Sequence, residues 1–287
     1  MGRNTINLKL IMSHIGTSIF NNEPRIRALY AALEHAPVSI RIPPGARDYI
    51  IDIEKVIPRG EAGVNISIDA GSGSSARIMV RPDSLPHSCS IDFTLAEGAE
   101  ILYEAEHLVC APALLLVTAQ VHANAKYVVQ ERVTAHAFFY SRYKVALSGE
   151  GALFTDEMRY SGASAAVLDM ERAVHHRAGQ TLSHMNARGV ARDEAKVLWR
   201  GKVRVEKQAK KSSAFQRHDA ILAGAGAHID AAPYLEIFTH DVSCKHSASV
   251  TRIPPENLFY LASRGVPFAD AHRMLTEGFL SLSHHAS

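Results

Sequence analysis

Three cysteines, one tryptophan and a 7% aromatic share are all that this 287-residue chain holds of the residues that build disulfide frameworks or base-stacking platforms. Cys89, Cys110 and Cys244 are odd in number and widely spaced, which excludes a disulfide scaffold and fits a reducing, cytoplasmic setting. Charge of one sign is also scarce: 31 Lys plus Arg face 29 Asp plus Glu, for a net +2. A dedicated nucleic-acid binder carries a strong basic excess, so no nucleic-acid partner is expected. Long apolar runs are missing as well. The longest, residues 111–121, is broken by Thr118 and Gln120 and is about half of the roughly 20 residues a spanning helix needs. Met1 to Leu8 lacks the apolar run of a secretory signal, and Ile6 stands where a myristoylation signal has Ser or Thr, so no membrane anchor is expected. Phosphate loops, Gly-x-Ser-x-Gly elbows and His-Glu-x-x-His pairs are absent, and any energy source must come from a partner.

What is present is enough apolar residue, 47%, to bury a sizeable core. Asn22-Glu23-Pro24, followed by Ile26, Leu29, Tyr30 and Leu33, predicts a capped amphipathic helix closed by Pro37 and Pro43-Pro44-Gly45. From Asp48 onward, short β-branched runs such as residues 49–53, 64–68 and 77–80, divided by Gly, Ser and Asn, predict strands. A small residue followed by Ala recurs at Ser75, Gly98, Asn124, Gly151 and Gly226, with separations of 23, 26, 27 and 75. Gly201 falls 25 before Gly226 and fits the same spacing with a weaker motif. A period near 25 suits a solenoid in which no single coil buries its apolar face alone. A β-sandwich with frequent turns is the alternative. Beyond Pro254-Pro255, Leu258, Phe259, Leu261 and Ala262 end at Arg264-Gly265, where glycine closes a helix. Pro267 opens a second helix with Phe268, Ala271, Met274, Leu275, Gly278, Phe279 and Leu282 on one stripe.

The densest set of ligand-type side chains is His240-Asp241-Val-Ser-Cys244-Lys-His246. On an extended segment Cys244 and His246 share a face and suit a borderline metal or a persulfide, although two ligands do not close a metal site. The bland reading is a half-buried thiol and a surface imidazole. Cys110, in Glu106-His107-Leu-Val-Cys110-Ala-Pro112, and Cys89 read first as packing. His175 and His176 would point to opposite faces of a strand. The basic stretch Arg200, Lys202, Arg204, Lys207, Lys210 and Lys211 has no interleaved aromatics and reads as a solvated face.

The run from Pro233 through Cys244-Lys-His246 to Val250, then Leu258-Phe259-Tyr260-Leu-Ala-Ser-Arg264-Gly265 and Gly278-Phe279, resembles the SufB/SufD family of iron–sulfur cluster assembly proteins. His176 to Ser183, Arg188-Gly189-Val190, Trp199-Arg-Gly201-Lys202-Val203 and Phe215-Gln216 stand in that family's order. The resemblance implies a right-handed parallel β-helix with a short N-terminal helix and a C-terminal helical hairpin. It also implies docking of a SufC-type ABC ATPase on the hairpin, through Phe259, Tyr260, Arg264, Gly265, Gly278 and Phe279. A homodimer, or a heterodimer with a paralogue, is implied, with a transient iron–sulfur cluster assembled near the subunit interface. Cys244 and His246 then stand at the ligand positions, and Cys110 loosely matches a sulfur-transfer cysteine. The long N-terminal helical region and multi-cysteine motif of the family are missing. Cys-Lys-His-Ser-Ala-Ser departs from the His-Glu-Ala and His-Gly-Ala forms.

The expected division is a helical segment at 1–44, a β-helix at 45–253 and a helical hairpin at 254–287. The expected role is a non-enzymatic scaffold subunit, with a purely structural SufD-like partner as the alternative. A polysaccharide-cleaving β-helix is the third reading, without a groove of carboxylates to support it.

Overall fold

The computed structural model describes residues 24–33, 37–57, 62–82 and 85–281. Helix α1 spans Pro24–Ala31; the expected cap at Asn22 and the stripe's end at Leu282 lie outside the described residues. Strands β1 (Val38–Ile42), β2 (Tyr49–Asp52), β3 (Gly63–Ala70), β4 (Ser75–Val80), β5 (Ser88–Leu95), β6 (Glu100–Val109), β7 (Ala113–Val121) and β8 (Lys126–Ala135) follow. The second half holds β9 (Phe138–Leu147), β10 (Leu153–Gly162), β11 (Val167–His176), β12 (Leu182–Ala191), β13 (Lys196–Val205), β14 (Ser212–Leu222), β15 (His228–Ile237) and β16 (Val242–Arg252). Odd strands form one 8-stranded sheet and even strands another, each in sequence order. All pairs are parallel, as at Leu153↔Leu182 and Val167↔Lys196. The result is a parallel β-solenoid of about 7 turns, and the antiparallel sandwich is excluded. The ladder reaches back to Val38, inside the span expected to be a helical segment, because Val38 and Ile40 pair with Ile66 and Ile68.

The small-residue repeat marks one corner of the solenoid. Gly45, Gly73, Gly98, Asn124, Gly151, Gln180 and Lys211 all have φ between 54 and 71°. That left-handed conformation favours glycine and tolerates asparagine. Each passes its backbone N–H to the next coil, as in Gly98 N–H to Ala123 O at 2.9 Å and Asn124 N–H to Glu150 O at 2.9 Å. The following residue, Ala99, Ala125 or Ala152, is fully buried in the corner. Three of the expected repeat members fall elsewhere. Ser75 pairs with Glu100, so Gly73 rather than Ser75 answers Gly98. Gly226 precedes β15 in the opposite sheet, and Gly201 lies inside β13. The coil also lengthens: Ser75 pairs with Glu100, 25 positions on, whereas Lys196 pairs with His228, 32 positions on.

Leu29, Tyr30 and Leu33 lie against Leu114, Leu116, Phe138 and Tyr140, so α1 covers the outer face of β7 and β9. The helical hairpin consists of α2 (Pro255–Ser263) and α3 (Phe268–Ser281). Gly265, at φ 83°, turns the chain between them. Helix α3 returns to β12, where the Arg188 guanidinium stacks on Phe279 at 5.6 Å and Arg192 reaches Thr276 Oγ1 at 3.1 Å. Ala271 and Thr276 are the buried residues of this helix, while Phe268 and Met274 of the expected stripe are exposed. The β body presents polar Arg188 and Arg192 at this contact, so a threonine and a phenylalanine edge fit it better than the methionine.

Candidate functional site

Alternation on the even strands sets inward columns. Phe154, Ser183, Ala214 and Cys244 make one, and Asp156, Met185, Gln216 and His246 the next. Cys244 and His246 therefore share the inward face of β16, as the extended reading requires. Strands β15 and β16 end their sheets, so this last coil is open to solvent among the described residues. Cys244 is half-buried against the core and His246 is exposed. Burial pushes the Cys244 thiol up, against a backbone hydrogen bond from Ala214. It rests as a thiol, and an arriving metal must displace its proton. Around it the open end exposes Tyr234, Ile237, Phe238 and Val250. Among the described residues no group of three or more His, Cys, Asp and Glu side chains converges to hold a metal ion.

The other expected residues are scattered. Phe259 and Tyr260 stand out into solvent on α2, with Arg264 over the Tyr260 ring at 5.5 Å. Gly265 forms the turn, and Gly278 on α3 has open space where a Cβ would be. Cys110 is exposed between β6 and β7, at a cavity of about 360 Å³ lined also by Cys89, His87, His107 and Phe139. Cys89 is buried, and burial raises its thiol far out of reach of ionisation. His176 points inward and His175 outward, as period two demands. Lys202 and Arg204 are paired to Glu236 and Glu206 at 2.7 and 2.9 Å, a salt-bridged outer face.

Two polar clusters inside the solenoid escape motif reading. In the middle coils Arg172 pairs with Glu131, and its Nε lies 3.4 Å from Asp156. Tyr143 donates its hydroxyl to Glu131 at 2.7 Å, and His107 Nε2 lies 3.3 Å from the same carboxylate. Burial pushes the Glu131 carboxyl up, but Arg172, His107 and Tyr143 outweigh it and hold it at about 2. For Asp156 burial wins over the more distant Arg172 and lifts the carboxyl to about 7. Nearer the open end, the Tyr160 hydroxyl and His218 Nε2 share a hydrogen bond of 2.9 Å, and Trp199 stacks on His218 at 4.6 Å. His176 is held between Thr181 at 2.7 Å and Ser183 at 2.8 Å. Burial lowers both His176 and His218 to about 4, so both are neutral at pH 7. The sequence does carry the signal: Glu131 falls on the parity of Tyr127, Val129 and Val133, and Gly201 interrupts a strand.

The fold is thus a parallel solenoid whose open last coil carries Cys244 and His246 and whose helical hairpin folds back on β12. Residues 64–279 match the model of the SUF system FeS cluster assembly, SufBD core domain. The chain belongs to the SufBD family. It is 33% identical over 113 residues to the iron–sulfur cluster assembly protein SufD of Escherichia coli, covering 39% of this chain and 27% of that protein. It is 32% identical over 135 residues to a SufBD family protein of Staphylococcus saprophyticus, covering 47% of this chain and 29% of that protein. The chain spans less than a third of the length of these curated relatives. No helix among the described residues is long and apolar enough to cross a membrane.

Proposed function

We propose that this chain is a scaffold subunit of a cytoplasmic SUF complex, bringing Cys244 and His246 to an interface where iron and sulfide are assembled into a transient cluster. The observation that carries the reading is the placement of both residues on the inward face of an unpaired last coil. A second solenoid, identical or paralogous, would cover the exposed Tyr234, Phe238 and Val250 and supply the missing ligands. A SufC-type ATPase would dock on Phe259 and Tyr260, with Arg264, Gly265, Gly278 and Phe279 shaping the hairpin, and couple ATP-driven closure to that interface. Cys110, exposed at its cavity, is the candidate for sulfur entry.

The second reading is a SufD-like structural partner that stabilises the complex and holds no cluster. The absence of a third converging ligand among the described residues favours it. Anaerobic co-purification with a SufC ATPase and a SufB-type subunit, then iron and sulfide reconstitution, separates the two. A brown complex that bleaches with Cys244→Ser supports the scaffold. A colourless stable complex supports the structural partner, and no complex at all rejects both.

A further inference from the structure

One outward row of the even sheet sets three arginines side by side. Arg132 on β8 pairs in register with Arg159 on β10, and Arg159 with Arg188 on β12. Strand alternation turns all three outward, and neighbouring rungs stand about 4.8 Å apart. Like charges placed directly opposite each other destabilise a sheet. The crowding registers at Arg188: burial lowers its guanidinium pKa, and Arg217 and Arg159 lower it further against the pull of Asp219.

The nearby acids are held by other groups. Glu104 is bound by Arg77 at 3.0 Å, Glu157 accepts from Asn186 at 2.7 Å, and Asp219 accepts from Arg217 at 2.7 Å. Glu106 comes only to 3.7 Å from Arg132. Arg159 makes no ion pair or hydrogen bond among the described residues. At the inner end of the row Arg188 is covered by Phe279 of α3. From there the two outer arginines lead into a groove of about 340 Å³, which they line together with Arg81, Met79 and Pro82. Arg81 is paired to Asp52 at 3.3 Å, so Arg132 and Arg159 are the cations the groove offers.

The groove selects the form of its occupant. An inorganic polyanion or a nucleic acid gains nothing from Met79 and Pro82, and no aromatic ring stands in the row for bases to stack on. On a helix, side chains at i, i+3 and i+4 lie about 5–6 Å apart. That spacing is close to the rungs of the sheet, so successive carboxylates meet successive arginines in the forked geometry a guanidinium prefers. The apolar stripe of the same helix then faces Met79 and Pro82.

We infer that this groove is a docking site for an acidic amphipathic helix of a partner protein, gripped by Arg132 and Arg159. The site stands apart from Cys244 and His246 and does not depend on cluster assembly.

The test is fluorescence anisotropy of a labelled amphipathic peptide, with glutamates at i, i+4 and i+7 beside a leucine stripe, titrated with the full chain. Saturable binding that weakens with salt is expected, reduced about tenfold or more in Arg159→Gln and in Arg132→Gln. Lys210→Gln removes the same charge from an exposed corner outside the groove and should bind as the wild type does. Should Arg159→Gln fail to fold, Arg132→Gln, at an exposed position, carries the comparison. No saturable binding, equal affinity for the glutamine version of the peptide, or an equal loss in Lys210→Gln overturns the site. Equal affinity for tripolyphosphate or for unfolded polyglutamate makes the row a general anion surface and overturns the helix.

Discussion

The Arg172 guanidinium lies flat over the Tyr143 ring, 3.9 Å from its centroid, with the Glu131 carboxylate closing its edge. A full positive charge is thus held in the middle of the solenoid by the ion pair with Glu131, the longer one with Asp156, one aromatic face and the hydroxyl of Ser141 at 3.0 Å.

Breaking that arrangement on one side strands a charge. Glu131→Gln is expected to destabilise the chain by about 3–5 kcal/mol, read as a lower urea midpoint. Asp156→Asn should cost far less, because Glu131 is the nearer partner of Arg172. The wild-type carboxyl at position 156 titrates higher folded than unfolded, so its contribution is full at acid pH and fades as pH rises towards about 7. Asp156→Asn should therefore gain on the wild type as pH climbs from 4 to 8. An Asp156→Asn variant less stable at pH 8 than at pH 5, relative to wild type, would contradict this.

The neutral histidines give a slope of opposite sign. His176 and His218 titrate near 4 when folded and near 6.5 when unfolded. The unfolded chain takes up protons first, and their contribution falls as pH drops from about 6.5 to about 4, by on the order of 3 kcal/mol each. In the Asp156→Asn background, where the opposing slope is gone, His218→Gln should flatten chemical denaturation midpoints measured between pH 7 and pH 4.5.

Two glycines inside strands should respond differently to alanine. At Gly189 a Cβ would overlap the Tyr160 ring, which is pinned to His218. At Gly201 it would overlap a Gln216 amide that has no partner and can swing. Both substitutions overpack, at about 1–3 kcal/mol, and Gly189→Ala should be the worse. Differential scanning calorimetry of the two variants gives the order directly.

On the hairpin, Phe259 is 75% exposed. Phe259→Ala should leave the thermal midpoint nearly unchanged, as exposed substitutions do, while weakening a SufC complex by about tenfold or more. Calorimetric titration with a SufC ATPase checks it; unchanged affinity would move the docking site off α2.

Much of this was legible from spacing. The Gly98, Asn124 and Gly151 steps are read correctly because a left-handed corner followed by a buried small residue leaves a visible pair in the sequence. Later corners use Gln180 and Lys211, where register rather than residue type imposes the conformation, and no motif survives. The Cys244–His246 face follows from period two alone. The interior clusters were not read, because Glu131 and Arg172 come from different sheets and meet across the core, 41 positions apart in sequence. The hairpin was read as to place, but its buried side was not: hydropathy favours Met274, while Arg188 and Arg192 select Thr276 and Phe279.

The growth of the coil from 25 to 32 residues has a geometric meaning. The shorter coil holds β4 and β5, of 6 and 8 residues, and the longer one β13 and β14, of 10 and 11, so the added chain enters the strands while the connections keep their length. Rungs rise by a fixed hydrogen-bonding distance of about 4.8 Å, so extra residues cannot lengthen the stack. They widen its perimeter instead. The molecule broadens towards the coil that carries Cys244 and His246, and because the width comes from longer strands, each added residue also lengthens the hydrogen-bonded ladder that holds that end together.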